Sequence, residues 1–396
     1  MKKIILLVLC TALIISGCKK ESPSSPTDNW DSYYGYTPDR FPIQTNEGFG
    51  YINKTGNTVI SPNALPLIYA AGFSYGKAWV VNSDTLIGYI DESGNWAINP
   101  NPNYYFCGNF SKEGFAPVED YTGQFGFINT SGVIQYCSYD TVYDFHNGLA
   151  PVVSNGLFGL IDITNTPVIP LLYVKPPYPT YFNEGYVFVM DSTYKWKLLD
   201  KNGNTILGAN YDDTWLFTEN VAPVSVNSIW KYIKPDGNEA FPQQFDLAYP
   251  FFEGCAAVEE GSSFGFIDKT GNYIVRPEFD EAWWFSEGLA VVRSGNYYHY
   301  IDKNFNSNGY KISTNFLDAY DFQGEVALVQ IDANNWAYIN NSGKILYEWQ
   351  PPVSDKSATI NKSAITKKVA TTNKKFSIRK KQTVRERLRA RLLKGE

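Results

Sequence analysis

The sequence predicts an all-β protein assembled from nine tandem units of 33 to 38 residues. Three observations carry that prediction. A hairpin pattern recurs nine times, aromatic and β-branched residues alternate with small or polar ones, and helix signals are nearly absent before the C-terminal tail.

The hairpin strand first reads FGYINKTGNTVI from Phe49 and IGYIDESGNWAI from Ile87, then FGFINTSGVIQY from Phe125 and FGLIDITNTPVI from Phe158. WKLLDKNGNTIL from Trp196, WKYIKPDGNEAF from Trp230, FGFIDKTGNYIV from Phe264, YHYIDKNFNSNGYKI from Tyr298 and WAYINNSGKILY from Trp336 complete the set. The position after the strand falls at 53, 91, 129, 162, 200, 234, 268, 302 and 340. Within one unit, alternating apolar and small residues make a half-buried strand. Asp or Asn then opens a tight turn by accepting backbone N–H groups, and Gly closes it at φ > 0. A second strand returns antiparallel. The second half of the unit also recurs, as in FSEGLAVVR from Phe285 and FHNGLAPVV from Phe145: an aromatic, a turn and a valine-rich strand. Each unit is therefore expected to be a three-stranded meander with a fourth short strand in its connector.

These residues resemble the WG-repeat family, named for an aromatic-glycine pair on the hairpin strand, here Phe49-Gly50, Phe125-Gly126, Phe158-Gly159 and Phe264-Gly265. The chain departs from the name, because no copy has Trp-Gly; Trp196, Trp230 and Trp336 precede Lys, Lys and Ala. The resemblance covers about residues 41–350 and implies a fold rather than an activity.

Phe41–Gln44 reads as a first valine-type strand, and the last copy stops after Tyr347. No blade is visibly split between the ends, and nine units exceed the usual four to eight blades of a propeller. An elongated or curved array of stacked units is expected, with a toroidal β-propeller as the alternative.

Flanking segments have other compositions. Lys2 and Lys3 lead into the apolar run Ile4–Ile15, which is too short for a membrane span and fits a lipoprotein signal peptide over residues 1–17. Ile15-Ser16-Gly17-Cys18 has the order of a bacterial lipobox, which makes Cys18 the lipidated residue. Residues 18–40 read as lipidated Cys18 and a Ser/Pro-rich tether. Residues 351–396 form a basic tail: Asp355–Glu396 carries fourteen Lys or Arg against three acids, a net of +11, in a chain of formal charge −6. Val384, Leu388 and Leu392 place one narrow apolar stripe on a short amphipathic helix near its end. Such a tail can contact anionic surfaces. Nucleic acid is not the expected partner of a secreted lipoprotein.

Candidate chemistry is sparse. Asp91, Asp162, Asp200, Asp268 and Asp302 share their turn position with Asn53, Asn129 and Asn340. A catalytic carboxylate could not be exchanged for an amide between copies, whereas a turn acceptor can. Asp140, Asp212, Asp246 and Asp280 recur in the connector and read as a repeated structural bond. The two histidines, His146 and His299, stand alone, so zinc sites and Ser/His/Asp triads lack their parts. No catalytic residue, metal or cofactor is expected. Cys255 holds a core position filled elsewhere by Leu289, and the spacing of Cys107 and Cys137 leaves open whether they pair.

Aromatics are the remaining signal: 29 Tyr, 25 Phe and 10 Trp. Trp283-Trp284, Tyr104-Tyr105-Phe106 and Tyr297-Tyr298 exceed what a plain strand core requires. Trp283, Trp284, Tyr297 and Tyr298 are the candidate ligand-contact aromatics, because such rings stack on sugars and grip peptide side chains. The expected function is a membrane-anchored, non-enzymatic binding or scaffold lipoprotein of the bacterial cell envelope, with protein or glycan contacts on its repeat surface. Its expected place is the outer membrane, with the periplasmic and surface faces both open. A carbohydrate-handling enzyme accessory and a structural envelope component whose basic tail binds anionic lipid or glycan are the alternatives.

Overall fold

The computed structural model describes residues 39–176 and 180–350. The signal peptide, Cys18, nearly all of the tether and the basic tail lie outside the described residues. Within them the chain is all-β apart from one helical turn, Phe305–Asn308. Eight antiparallel sheets hold nine repeat units, because the fourth and fifth units share a seven-stranded sheet.

The seventh unit illustrates the construction. Its strands are Leu247–Ala248, Cys255–Glu260, Ser263–Asp268 and Tyr273–Phe279, hydrogen-bonded in sequence order. Between the first and second, the chain turns at Glu253 and Gly254, with φ of 52° and 76°, the left-handed pair that a two-residue hairpin of primed type requires. Phe252 and Cys255 exchange both backbone bonds across it. The second and third strands pair without interruption from Cys255↔Asp268 to Glu260↔Ser263. The return strand is less regular: its register shifts on either side of Phe266. That shift gives the glycine of the aromatic-glycine pair its purpose. A Cβ on Gly265 would lie 2.5 Å from the Val275 carbonyl oxygen and 2.7 Å from the Pro277 nitrogen, so the strands can approach only where the side chain is missing.

Burial follows the alternation in the sequence. On Ser263–Asp268 the aromatic and aliphatic positions are sealed, while return strands such as Ile134–Tyr136 stay largely exposed. The core is divided into clusters that each straddle neighbouring units. Phe49, Tyr51 and Ile60 of the first unit pack with Phe73, Val80 and Ile90 of the second. Tyr89 and Ile98 pack with Phe110 and Val118, and Phe127 with Phe145 and Val152. No unit buries its apolar faces alone; each needs its neighbours, as repeat architectures do.

The ends meet. Phe41, Ile43 and Ile52 of the first unit share a buried cluster with Val326, Leu328, Tyr338 and Trp349 of the ninth. Tyr338 donates its hydroxyl to the Pro42 carbonyl at 2.7 Å, and Lys54 pairs with Glu325 at 3.3 Å. The expected β-repeat array is present, and its curvature brings the last unit round to the first in the toroidal arrangement. The sequence argument against closure weighed a missing split blade. Closure here comes instead from side chains of one terminal unit packing on the other.

Candidate functional site

Bonds from each unit to the next are the starting point, since they decide which polar side chains remain available. Asp91 Oδ1 accepts the N–H groups of Ser93 and Asn95, both at 2.9 Å, and Asn53 Oδ1 accepts those of Thr55 and Asn57 at 3.1 and 2.9 Å. Carboxylate and amide make the same pair of bonds. Turn hydrogen bonds hold four of these carboxyls below their ordinary range: the Thr164 and Asn204 side chains lead at Asp162 and Asp200, and at Asp91 and Asp268 the turn bonds outweigh burial, which pushes the other way. In the sixth unit Lys234 occupies the position, and Asp236 accepts from Asn238 instead. The connector acids are equally committed. Asp140, Asp212, Asp246 and Asp280 accept the N–H of the residue fifteen places on, at 2.6, 2.7, 2.8 and 2.6 Å.

A third set of acids was not singled out from the sequence. Glu113, Glu184, Glu219, Glu253 and Glu287 sit in the connector turns, and each accepts backbone N–H groups from the equivalent turn of the next unit. Glu113 takes Gly148, and Glu184 takes Glu219 and Asn220. Glu219 takes Gly254, Glu253 takes Gly288, and Glu287 takes Gly324 and Glu325. Glu184, Glu219, Glu253 and Glu287 hold φ of 50° to 54°, an unfavourable region for a side chain of this type. The conformation aims the carboxylate at the neighbouring turn. Sequence spacing hid this because the partner lies 35 to 38 residues away.

Tyrosine hydroxyls make the same journey through the core. Tyr51 bonds to the Ala71 carbonyl, Tyr89 to Gly108, Tyr232 to Tyr249 and Tyr300 to Tyr320, at 2.6 to 2.9 Å. Gly108 gives its N–H to the Pro117 carbonyl. Proline has no N–H to return, and the Tyr89 hydroxyl supplies the missing donor.

The remaining titratable groups offer little chemistry. Burial pushes the Cys107 thiol up to about 12 and the Cys137 and Cys255 thiols to about 11, which keeps them protonated. All three are free and buried, and Cys107 and Cys137 belong to different core clusters. Burial lowers the His146 imidazole to about 4, and His299 is lowered for the same leading reason. Among the described residues, no group of three His, Cys, Asp or Glu could hold a metal ion, and no helix is long and apolar enough to cross a membrane.

The predicted contact aromatics separate in the structure. Trp283 is 4% exposed, in the connector position filled by Trp215 and Tyr249 in the two preceding units. The strand Glu281–Ser286 carries one extra residue between Ala282 and Phe285, and Trp284 is half-buried with its ring 5.6 Å from Phe252. Trp283 is therefore core rather than platform: its ring fills space between units. Tyr298 is half-buried, and its hydroxyl donates to Glu281 at 2.9 Å. Glu281 is itself buried and paired with Arg293 at 3.0 Å. Glu281, Arg293 and Tyr298 face each other across three strands as a packing lock. Only Tyr297 is exposed, at 40%.

Two other aromatic contacts lie at the surface of the third unit. Tyr105 and Tyr121 meet edge to face with centroids 5.5 Å apart, and Tyr121 is 59% exposed. Tyr136 is 42% exposed and shares a side-chain hydrogen bond with Asp120. Strand pairing sets the place of each pair. Tyr104–Cys107 lies beside Phe115–Asp120, with Tyr104 opposite Asp120 and a one-residue shift at Tyr105. Ile134–Tyr136 lies on the far side of Phe125–Asn129. Burial is the leading cause of a raised Tyr105 hydroxyl pKa, followed by Glu119 and Tyr121. Tyr104-Tyr105 was visible as a pair in the sequence. Tyr121 and Tyr136, isolated in the chain, were not.

Taken together, the described residues form an all-β repeat ring whose repeated turn and connector acids accept backbone N–H groups. Six segments, residues 49–63, 87–120, 125–158, 198–230, 232–262 and 264–298, match the family model described as WG containing repeat. No curated protein sequence matches the chain. Similar solved structures include the computationally designed Ika8 protein, at 10% identity and TM-score 0.40, covering 72% of this chain and 96% of that one. Kluyveromyces lactis Hsv2 is similar at 9% identity and TM-score 0.38, covering 60% and 96%. BamB from Moraxella catarrhalis is similar at 10% identity and TM-score 0.37, covering 80% and 95%.

Proposed function

We propose that this protein is a lipid-anchored, non-enzymatic binding scaffold of the bacterial cell envelope, which presents a rigid ring of WG-type repeats to a protein or glycan. The observation that carries the binding reading is the aromatic surface of the third unit, where exposed Tyr121 meets half-buried Tyr105 and exposed Tyr136 bonds to Asp120. Exposed ring faces next to a carboxylate suit a saccharide, whose C–H face stacks on tyrosine while its hydroxyls find acceptors. The repeated acids supply no reactive pair, since turn and connector carboxylates are committed to backbone N–H groups. Anchoring rests on the Ile15-Ser16-Gly17-Cys18 pattern and on the short apolar run before it. Acyl chains on Cys18 would contribute about 0.8 kcal/mol per buried methylene to membrane attachment.

The test is a glycan array and a pull-down with the acylated chain in detergent, alongside a Tyr121→Ala/Tyr136→Ala variant. The expected result is a ligand retained by the native surface and lost by the variant while melting is unchanged. Absence of any enriched ligand overturns the binding reading. Cys18→Ser should release the protein into the soluble fraction, and undiminished membrane retention overturns the anchor.

A further inference from the structure

We propose that the tyrosine surface of the third unit selects a cationic saccharide, an amino sugar with a free, protonated amine, over the same sugar N-acetylated. The inference rests on the saccharide reading above and adds the charge of the ligand.

The backbone holds the rings in place before any ligand arrives. The Tyr121 N–H donates to the Asn103 carbonyl at 3.3 Å, which ties the turn after Phe115–Asp120 to the start of Tyr104–Cys107 and sets the exposed Tyr121 ring against Tyr105. Asp120 Oδ1 accepts the N–H groups of Thr122 and Gln124 at 2.8 and 3.0 Å, so the turn that carries Tyr121 is fixed at its base. Tyr136, also exposed, shares a side-chain hydrogen bond with the same Asp120. That carboxylate therefore stands next to two exposed rings, one through the chain and one through a hydroxyl. Glu119 lies opposite Phe106 across the strand pair. Burial leads in raising the Tyr105 hydroxyl pKa and the Glu119 charge adds to it, which places a second carboxylate near the ring pair.

The surrounding sequence supplies almost no cation of its own. Between Lys77 and Lys175 the chain carries nine Asp or Glu against a single Lys, Lys112, and no Arg. Lys112 sits in the turn before Phe115, where its Nζ donates to Asn147 Oδ1 at 2.8 Å. The six residues of the strand Phe115–Asp120, at about 3.3 Å each, separate that turn from the tyrosines. Other units differ: Asp212 has Lys195 beside it, and Asp280 has Arg293. A neutral sugar gains stacking and hydrogen bonds from the third unit. An ammonium gains in addition the attraction of two carboxylates and of the tyrosine ring faces. A lysine side chain would bring the charge without a flat C–H face to cover Tyr121.

Titration of the full acylated chain in nonionic detergent with a glucosamine tetramer, its N-acetylated form and a tetralysine peptide tests the proposal. At about pH 6, below the ordinary range of an amine, the free-amine sugar should bind at least about fivefold tighter than the N-acetylated one. The gap should narrow in high salt. Asp120→Asn removes charge and keeps the turn, because Asn82 in the second unit accepts the equivalent N–H groups of Asp84 and Leu86 at 3.0 and 2.9 Å. Combined with Glu119→Gln, it should bring the two sugars to equal affinity in a chain that still melts cooperatively. Equal or tighter binding of the N-acetylated sugar by the native chain overturns the proposal and leaves the saccharide reading standing. A preference for the amine that survives in the double variant overturns it as well. Tighter binding of tetralysine than of either sugar overturns it in favour of a basic protein partner. If neither sugar nor peptide binds, and the array and pull-down enrich nothing, the binding reading falls with it.

Discussion

Tyr338 and Pro42, 296 positions apart in the chain, are joined by a 2.7 Å hydrogen bond from hydroxyl to carbonyl. The Tyr338 ring also lies 5.6 Å from Phe41 and 5.2 Å from Trp349. This contact turns a row of units into a ring. In a linear stack the first and last units would each expose an apolar face; here each covers the other.

Tyr338→Phe should therefore cost about 1 kcal/mol, the typical contribution of one hydrogen bond. Tyr338→Ala should cost about 3 to 5 kcal/mol through the cavity it leaves. Denaturant titration measures both. Hydrogen exchange after Tyr338→Ala should rise first in Phe41–Thr45 and Ile345–Trp349, not in the middle units. Uniform acceleration around the ring would contradict closure at this seam.

Gly265→Ala should destabilise by about 1 to 3 kcal/mol, since the added methyl meets backbone rather than a movable side chain. Gly254→Ala provides the contrast: no heavy atom lies within 4 Å of its Cβ position, so its cost should come from φ of 76° alone. Thermal melts of the pair separate crowding from conformational strain. Normal melting of Gly265→Ala would refute the crowding argument.

Glu287→Ala should cost about 2 kcal/mol, because two backbone N–H groups, Gly324 and Glu325, lose a charged acceptor. Glu287→Asn tests the geometry. Asn suits the left-handed turn better than Glu, but its shorter side chain should not span to the next unit. If Asn restores full stability, local turn strain matters and the inter-unit bond does not.

Asp144 and His146, two residues apart, should impose opposite pH slopes. Burial raises the Asp144 carboxyl from 3.8 to about 7, and its Oδ1 is sealed without a hydrogen-bond partner. The native state then holds a proton that the unfolded chain releases, so stability is full below about pH 4 and falls as pH rises toward 7. His146 is lowered from 6.5 to about 4 and stays neutral when buried, so its contribution is lost as pH falls from 6.5 toward 4. Asp144→Asn should raise the melting temperature at pH 8 with little effect at pH 4. His146→Asn, the residue that position 183 carries, should flatten the acid side. Parallel melting curves for wild type and Asp144→Asn across pH 4 to 8 would disprove the Asp144 assignment.

Local physics was legible in the chain because it repeats at short range. Asp91 with Ser93 and Asn95, Asp280 with Gly295, and the aromatic-glycine strand each involve residues within one unit. Exchange between Asp and Asn at one turn position identified a bond acceptor before any coordinate did. The acceptor turns of Glu253 and Glu287 were not legible, because their partners are backbone N–H groups of another unit and leave no side-chain signature.

Surface character lay further out of reach. Trp283-Trp284 looked like a platform because two large rings stand together; packing between units sealed Trp283 and half-buried Trp284. Tyr121 and Tyr136 looked incidental, and the fold set Tyr121 against Tyr105 and Tyr136 against Asp120.

The sequence by itself determined the unit, its all-β character, its turns and the structural role of its repeated Asp and Asn residues, since strand alternation and turn chemistry are local. Only the tertiary structure decided that nine units come round to the first, which tyrosines reach water and which acids tie neighbouring turns. Those properties depend on the small rotation between successive units, summed around the ring. No single repeat encodes that sum in a form its own residues reveal.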